Sequence, residues 1–263
     1  MIANYHTHTS RCHHASGTEE EYIKKAIAEG LETLGFADHA PYVYPEGYVS
    51  HFKMTPDEAP DYYNTISALR EKYRDKIEIL IGYEAEYYPE LWDATLEEWK
   101  KYPPEYLILG QHYVGKEYDP KNGMHTFAKP GGAEKLKLYV DTVIQGISTG
   151  AFTYIAHPDM VNYSGNPHVY DEEMTRLILA AKEREIPLEI NLLGVAENRL
   201  YPNEPFWKLC GALSADAIIG CDAHSPSRVA VKEEITAAYR IADKYGVNLL
   251  KKIKVKNPFE KTK

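Results

Sequence analysis

The chain has 263 residues, 44% hydrophobic and 26% charged, with a formal net charge of −9. This is the composition of a globular protein long enough for a single α/β barrel. It disfavours a duplex nucleic-acid partner, which asks for a basic face. No apolar run reaches the roughly 18 residues that a membrane span needs, so no membrane partner is expected, and the first six residues lack the basic and apolar stretches of a signal peptide. Three scattered cysteines, Cys12, Cys210 and Cys221, argue against a disulfide framework and for a reducing cytoplasm. Oligomeric state has no signature here.

Short β-rich runs alternate with longer helical patterns. A strand over 2–6 precedes a helix over 18–30. Strands over 33–37, 77–82 and 106–110 are followed by helices over 56–73, 91–102 and 132–149. Strands over 152–156, 188–191 and 217–220 are followed by helices over 171–184, 204–212 and 228–245. Seven such units imply parallel strands with right-handed crossovers. The strand ends choose between a barrel and an open sheet: they carry His6, Asp38-His39, Glu84, His112, His157, Asn191 and Asp222. In a closed barrel the strand C-termini surround one pocket, whereas the outer strands of an open sheet lie too far apart for all seven to meet. The C-terminal basic run, Lys251, Lys252, Lys254, Lys256, Lys261 and Lys263, reads as a solvated end.

His6-Thr7-His8 and Asp222-Ala223-His224 each place two donors on one side of an extended segment, a spacing that can grip one ion. A single histidine at a strand end has about even odds of being an ordinary satisfied polar residue. Repetition at every strand end weakens that reading, because clustered imidazoles and carboxylates need a cation to organise them. Cys12 reads as a small packed residue, and His51, His125 and His168 as histidines without a special role. Glu86, on the same side of its strand as Glu84, reads as supporting the site or facing substrate.

The ordered motifs His6-Thr7-His8-Thr9 with Cys12 and His14, Phe36-Ala37-Asp38-His39-Ala40-Pro41, Gly82-Tyr83-Glu84-Ala85-Glu86-Tyr87, Leu109-Gly110-Gln111-His112, Ala156-His157-Pro158-Asp159, Glu189-Ile190-Asn191 and Cys221-Asp222-Ala223-His224-Ser225 resemble the PHP (polymerase and histidinol phosphatase) superfamily. Within it they resemble the histidinol-phosphate phosphatases, a likeness to which Phe52-Lys53-Met54 adds. The resemblance implies a single-domain, distorted (β/α)7 TIM-like barrel holding three divalent metal ions. One ion would take His6, His8, Glu84 and Asp222. A second would share Glu84 and add His112 and His157. A third would take His14, His39 and His224, with His13 as the substitute for His14. An imidazole–carboxylate set suits zinc, manganese or iron alike.

In the chemistry so implied, Glu84, Asp222 and His224 are catalytic. Two cations sharing Glu84 would bring a water held between them towards neutral pKa, and the cluster would neutralise the phosphoryl oxygens. Arg199 is the candidate fork-shaped donor for the phosphate of a small phosphorylated metabolite. Its plain alternative is a solvated surface arginine. Histidinol phosphate is the implied substrate, its cationic end met by Glu86, Asp159 or loop tyrosines. The alternatives are another phosphoester, or a non-catalytic metal-binding module on the same fold. An amidohydrolase fits less well, since it usually wants a bridging lysine or another arrangement.

Overall fold

The computed structural model describes residues 1–119, 121 and 123–260; Lys261 and Lys263 of the basic run lie outside them. In chain order the elements are β1 (Ala3–Asn4), α1 (Glu19–Ala28), β2 (Thr33–His39), α2 (Ala59–Tyr73), β3 (Glu78–Ala85), α3 (Trp92–Trp99), β4 (Tyr106–Leu109), β5 (Tyr113–Val114), β6 (Met124–His125), α4 (Ala133–Ser148), β7 (Phe152–Ile155), α5 (Pro167–Glu183), β8 (Leu188–Asn191), α6 (Leu192–Ala196), α7 (Glu204–Ala212), β9 (Asp216–Gly220), α8 (Lys232–Tyr245) and β10 (Asn248–Leu249). Eight strands form one parallel sheet in the order β1-β2-β3-β4-β7-β8-β9-β10.

The sheet curls until its ends meet. Thr7, just past β1, bridges in parallel to Ala223, just past β9. His8 N donates to Ala223 O at 3.0 Å. Asn4 adds a second tie, its Oδ1 accepting from Cys221 N at 2.9 Å. The seven-unit barrel is therefore drawn shut at its C-terminal mouth, and the short β10 pairs with the start of β9 at the other end.

The lumen is filled rather than hollow. Ala3, Tyr5, Ala37, Tyr106, Ile108, Tyr154, Ala156 and Ile218 form their own buried cluster, with Leu250, Ile253 and Val255 of the C-terminal tail packed against it. The tail's apolar residues thus close the barrel floor, while Lys252 turns outward to Glu32 at 2.9 Å. Gly35 and Gly82 are obligatory here, because a Cβ at either would overlap the Tyr106 side chain. A bulky ring facing two glycines keeps the lumen close-packed. A second cluster packs the helices on the barrel's outside, so the strands are apolar on both faces, as a parallel sheet requires.

Differences from the expected boundaries have local causes. Helix α5 begins four residues earlier than predicted, because Asn166 caps it by accepting from His168 N and Pro167 occupies its first position. Helix α8 starts at Lys232, after a separate 3₁₀ turn at Pro226–Arg228. The hairpin of β5 and β6 was not expected; its strands are two residues each and carry no legible alternation. The cysteines are three buried free thiols. Among the described residues no helix is long and apolar enough to cross a membrane.

Candidate metal centre

The strand ends converge at the barrel mouth. His6 and His8 follow β1, His39 ends β2, Glu84 lies near the end of β3, His112 follows β4, His157 follows β7, and Asp222 and His224 follow β9. All are buried except the half-buried His224. Glu84 sits at the centre. Its Oε2 lies 3.5 Å from Nε2 of both His6 and His8 and 3.0 Å from His39 Nδ1. Its Oε1 lies 2.8 Å from His157 Nε2 and 3.6 Å from His112 Nε2. Asp222 Oδ1 stands 3.1 Å from His8 Nε2 and 3.5 Å from His6 Nε2. One carboxylate thus faces two separate groups of imidazoles.

The backbone is shaped for this. A Cβ at Gly110 would overlap Glu84 Oε1, and one at Gly220 would overlap Glu189 Oε1, so two glycines hollow out space for two buried acids. His157 and Asp222 hold left-handed backbone at φ 31° and 49°, a conformation costing of order 1–3 kcal/mol each for a residue with a Cβ. Such strain persists only where surrounding contacts enforce it. Here Glu189 Oε2 accepts from His157 N at 2.9 Å, and Asp222 Oδ2 accepts from Asn191 Nδ2 at 3.1 Å.

Behind the cluster, further groups fix the imidazoles. His6 Nδ1 bonds Glu189 Oε1 at 2.8 Å, and His8 Nδ1 faces Asp38 Oδ1 at 3.3 Å. His14 Nδ1 donates to Cys12 O at 2.7 Å, and His224 Nδ1 to Asp222 O at 3.0 Å. Each bond leaves the other ring nitrogen as an available lone pair, the arrangement that metal-ligating histidines use. Glu189 escaped the sequence reading as a site residue. Its signal was the i, i+2 spacing to Asn191, which puts both on one face of β8.

His14 rather than His13 enters the cluster: its ring lies 4.7 Å from that of His224 and 5.4 Å from that of His39, whereas His13 turns to Glu58 at 3.5 Å. Donor atoms within 4.8 Å of one another include the groups His6–His8–Asp222, His6–Glu84–His157, His8–His39–His224 and Cys12–His14–His224. The trio His14, His39 and His224 is therefore gathered, with His8 and Cys12 beside it. Burial pushes the Cys12 thiol up, against a thiolate ligand.

The residues fit divalent ions on their own chemistry. His6 Nε2, His8 Nε2, Glu84 Oε2, His157 Nδ1 and His224 Nε2 are buried atoms without a hydrogen-bond partner, each costly to bury so. Burial depresses the His6 imidazole, but Glu189, Asp222 and Glu84 overcome it and raise its pKa to about 10. For His8, burial is likewise outweighed by hydrogen bonds to Asp222 and Asp38. Burial would raise Glu84, yet His112, His39 and His6 hold it well below the usual carboxylate range, and His6 and His8 do the same for Asp222. Burial drives His39 to about 4 and His224 to about 3. A divalent cation binds ionised acids and neutral imidazoles, so the raised imidazoles His6, His8 and His157 would release their protons as it enters.

These shifts set a pH profile for the metal-free protein. His6 is raised, so its contribution is complete below the unfolded value of 6.5 and is lost as pH climbs towards about 10. His39 and His224 are depressed, so the unfolded chain protonates first and stability falls as pH drops from 6.5 towards about 4 and 3. The melting temperature of the apo-protein should therefore peak near pH 6.5 and fall on both sides; a profile flat from pH 5 to 9 by circular dichroism would contradict this.

Above the cluster opens a cavity of about 370 Å³. Phe52, Tyr113, His125 and Phe127 line one side, and Glu197, Arg199 and Tyr201 the other. Arg199 spans the two, its guanidinium 5.7 Å from the Phe127 ring centroid and 5.9 Å from that of Tyr201. It donates to Glu197 at 2.8 Å and to the Tyr201 hydroxyl at 2.8 Å. Two of the histidines read as having no role, His51 and His125, line this cavity, brought there by the 50s loop and the unforeseen hairpin. His168 is exposed at the start of α5. Asp159, expected to be able to meet substrate, does not line the cavity. It lies buried beneath α7, accepting from Asn203 N at 2.5 Å and Trp207 Nε1 at 3.1 Å, and burial lifts it to about 7. Glu86 is buried behind His112 instead of facing the cavity.

Fold and site together define an α/β-barrel protein with a buried imidazole–carboxylate centre able to hold several metal ions. The PHP domain family matches residues 4–192, and the chain belongs to that family. Relatives include a "Probable histidinol-phosphatase" of Deinococcus radiodurans, 24% identical, covering 87% of this chain and 88% of its own. A histidinol-phosphatase of Bacillus subtilis is also 24% identical, over 85% of this chain and 94% of its own. The crystal structure of histidinol phosphate phosphatase from Lactococcus lactis, complexed with zinc, L-histidinol and phosphate, superposes with a TM-score of 0.74 at 20% identity, covering 100% of this chain and 99% of that one.

Proposed function

We propose that the protein is a metal-dependent phosphatase and that its substrate is L-histidinol phosphate, hydrolysed to L-histidinol and phosphate. The observation that carries the reading is Glu84, whose two oxygens face two different sets of imidazoles at 2.8–3.6 Å. We assign one ion to His6, His8, Glu84 and Asp222, a second to Glu84, His112 and His157, and a third to His14, His39 and His224. When bound, divalent ions of this kind supply Lewis acidity and an activated water; zinc, manganese and iron all suit the donor set.

The chain's own groups do the rest. Glu189 and Asp38 hold His6 and His8 in one tautomer, so that their Nε2 atoms face inward. Arg199, braced by Glu197 and Tyr201, is positioned to donate to phosphoryl oxygens as they enter between the two walls. The aromatic faces of Phe52, Tyr113 and Phe127 with the Glu197 carboxylate suit a flat, cationic leaving group. The three free, buried thiols fit a reducing cytoplasm.

A panel of phosphomonoesters tests the substrate. kcat/KM for histidinol phosphate is expected to exceed that for an aryl phosphate by about a hundredfold, since an aryl group leaves the polar wall unpaired. Equal values would discard the named substrate. Arg199→Met is expected to raise KM roughly tenfold or more, the worth of one charge-assisted hydrogen bond; an unchanged KM would place Arg199 outside substrate binding.

A further inference from the structure

Four of the clustered imidazoles, those of His6, His8, His14 and His224, have Nδ1 tied to an oxygen. His112 does not. Its Nε2 faces Glu84 Oε1 at 3.6 Å, while its Nδ1 is buried without a hydrogen-bond partner. Directly behind it, at 3.7 Å, stands Glu86 Oε1, also buried and without an aligned hydrogen bond. A small turn of the ring would close that gap.

Glu86 is itself held firmly. Its Oε1 meets the Lys53 ammonium at 2.5 Å, and its Oε2 accepts from the Tyr88 hydroxyl at 2.8 Å and from Tyr113 N at 3.0 Å. Lys53 is 2% exposed. It also pairs with Glu117 and donates to the Tyr44 hydroxyl at 3.0 Å, and it lies within 5.7 Å of the ring centroids of Tyr42, Tyr44, Phe52 and Tyr88. A cation this deeply desolvated needs its carboxylates in fixed places. It joins three segments that each supply the site: the Phe52 wall, the strand of Glu84, and the hairpin loop of Glu117.

We propose that Glu86 is a positioning residue for the metal centre: its carboxylate accepts the Nδ1–H of His112, turning His112 Nε2 towards Glu84 and the ion they would share, and Lys53 locks the carboxylate there. This rests on the assignment of His112 as a ligand. It adds a carboxylate–histidine pair that the sequence motifs do not contain, running from Phe52-Lys53 through Glu86 to His112.

Glu86→Gln and Glu117→Gln in the full chain separate positioning from packing, since both acids touch Lys53 and only Glu86 reaches His112. Zinc binding is measured by competition with a chromophoric chelator, alongside the d–d spectrum of the cobalt-substituted protein and the melting temperature of each apo-form. Glu86→Gln is expected to weaken one zinc by about 10- to 100-fold and to alter the cobalt spectrum; Glu117→Gln should leave both unchanged. A Lys53→Met/Glu86→Leu double variant, which replaces the buried pair with apolar groups, guards against misfolding of the single variant and is expected to show the same loss. Wild-type zinc affinity in Glu86→Gln or in the double variant, or an equal loss in Glu117→Gln, would overturn the proposal. Failure of the unsubstituted protein to bind zinc would overturn the metal-centre assignment itself, and this proposal with it.

Discussion

Glu84→Gln is expected to lower kcat by about a thousandfold or more, the scale of losing a preorganised charge at the reacting centre. The residue is nearly isosteric, so Gly110 still accommodates it and the barrel should fold. Two things are lost together. The negative charge that His112, His39 and His6 now stabilise disappears, leaving imidazoles on both sides with no shared anion. One end of the amide also becomes an N–H₂ donor facing lone pairs, so the ions of both groups are weakened at once. Zinc content and turnover should fall in the same variant while its circular dichroism spectrum stays unchanged. A Glu84→Gln protein with normal turnover would show that the carboxylate is not shared.

The second large effect is metal removal. Exhaustive chelation is expected to abolish turnover and to lower the melting temperature by roughly 10 °C for each ion lost, taking about 4 kcal/mol per ion at a thousand times its dissociation constant and 2–4 °C per kcal/mol for a chain of this size. The cause is visible in the unpartnered buried atoms, His6 Nε2, His8 Nε2, Glu84 Oε2 and His224 Nε2, which the ions would satisfy. Activity should return on adding back zinc, manganese or iron. Loss of activity with no change in melting temperature would place the ions at the surface instead of within this cluster.

The barrel and its ring of donors were legible because both rest on repetition. Seven apolar runs each ended in His6, Asp38-His39, Glu84, His112, His157, Asn191 or Asp222, and a parallel barrel makes strand ends neighbours whatever lies between them. The second ring of contacts was hidden, because it depends on which side chains meet between segments far apart in the chain. Glu189 reaches His6 over 183 positions of sequence, and Lys53 meets Glu117 over 64; no local period records either pairing. Arg199 on the cavity wall was named from the sequence, but the two histidines beside it were hidden for another reason. His51 and His125 sit in a loop and in a hairpin whose strands are two residues each, where position is set by tertiary contacts such as those of Lys53 with Glu86 and Glu117. Asp159 shows the opposite error. It follows His157 closely enough to look like a site residue, yet its carboxyl turns away to Asn203 N and Trp207 Nε1.

The most direct measurement is X-ray diffraction from protein crystals grown with phosphate, collected across the zinc, iron and manganese absorption edges. Three anomalous peaks at the barrel mouth are predicted, two of them on opposite oxygens of Glu84 and the third beside His14, His39 and His224. Ions bound elsewhere, or no ions in a preparation that still hydrolyses phosphomonoesters, would contradict the account.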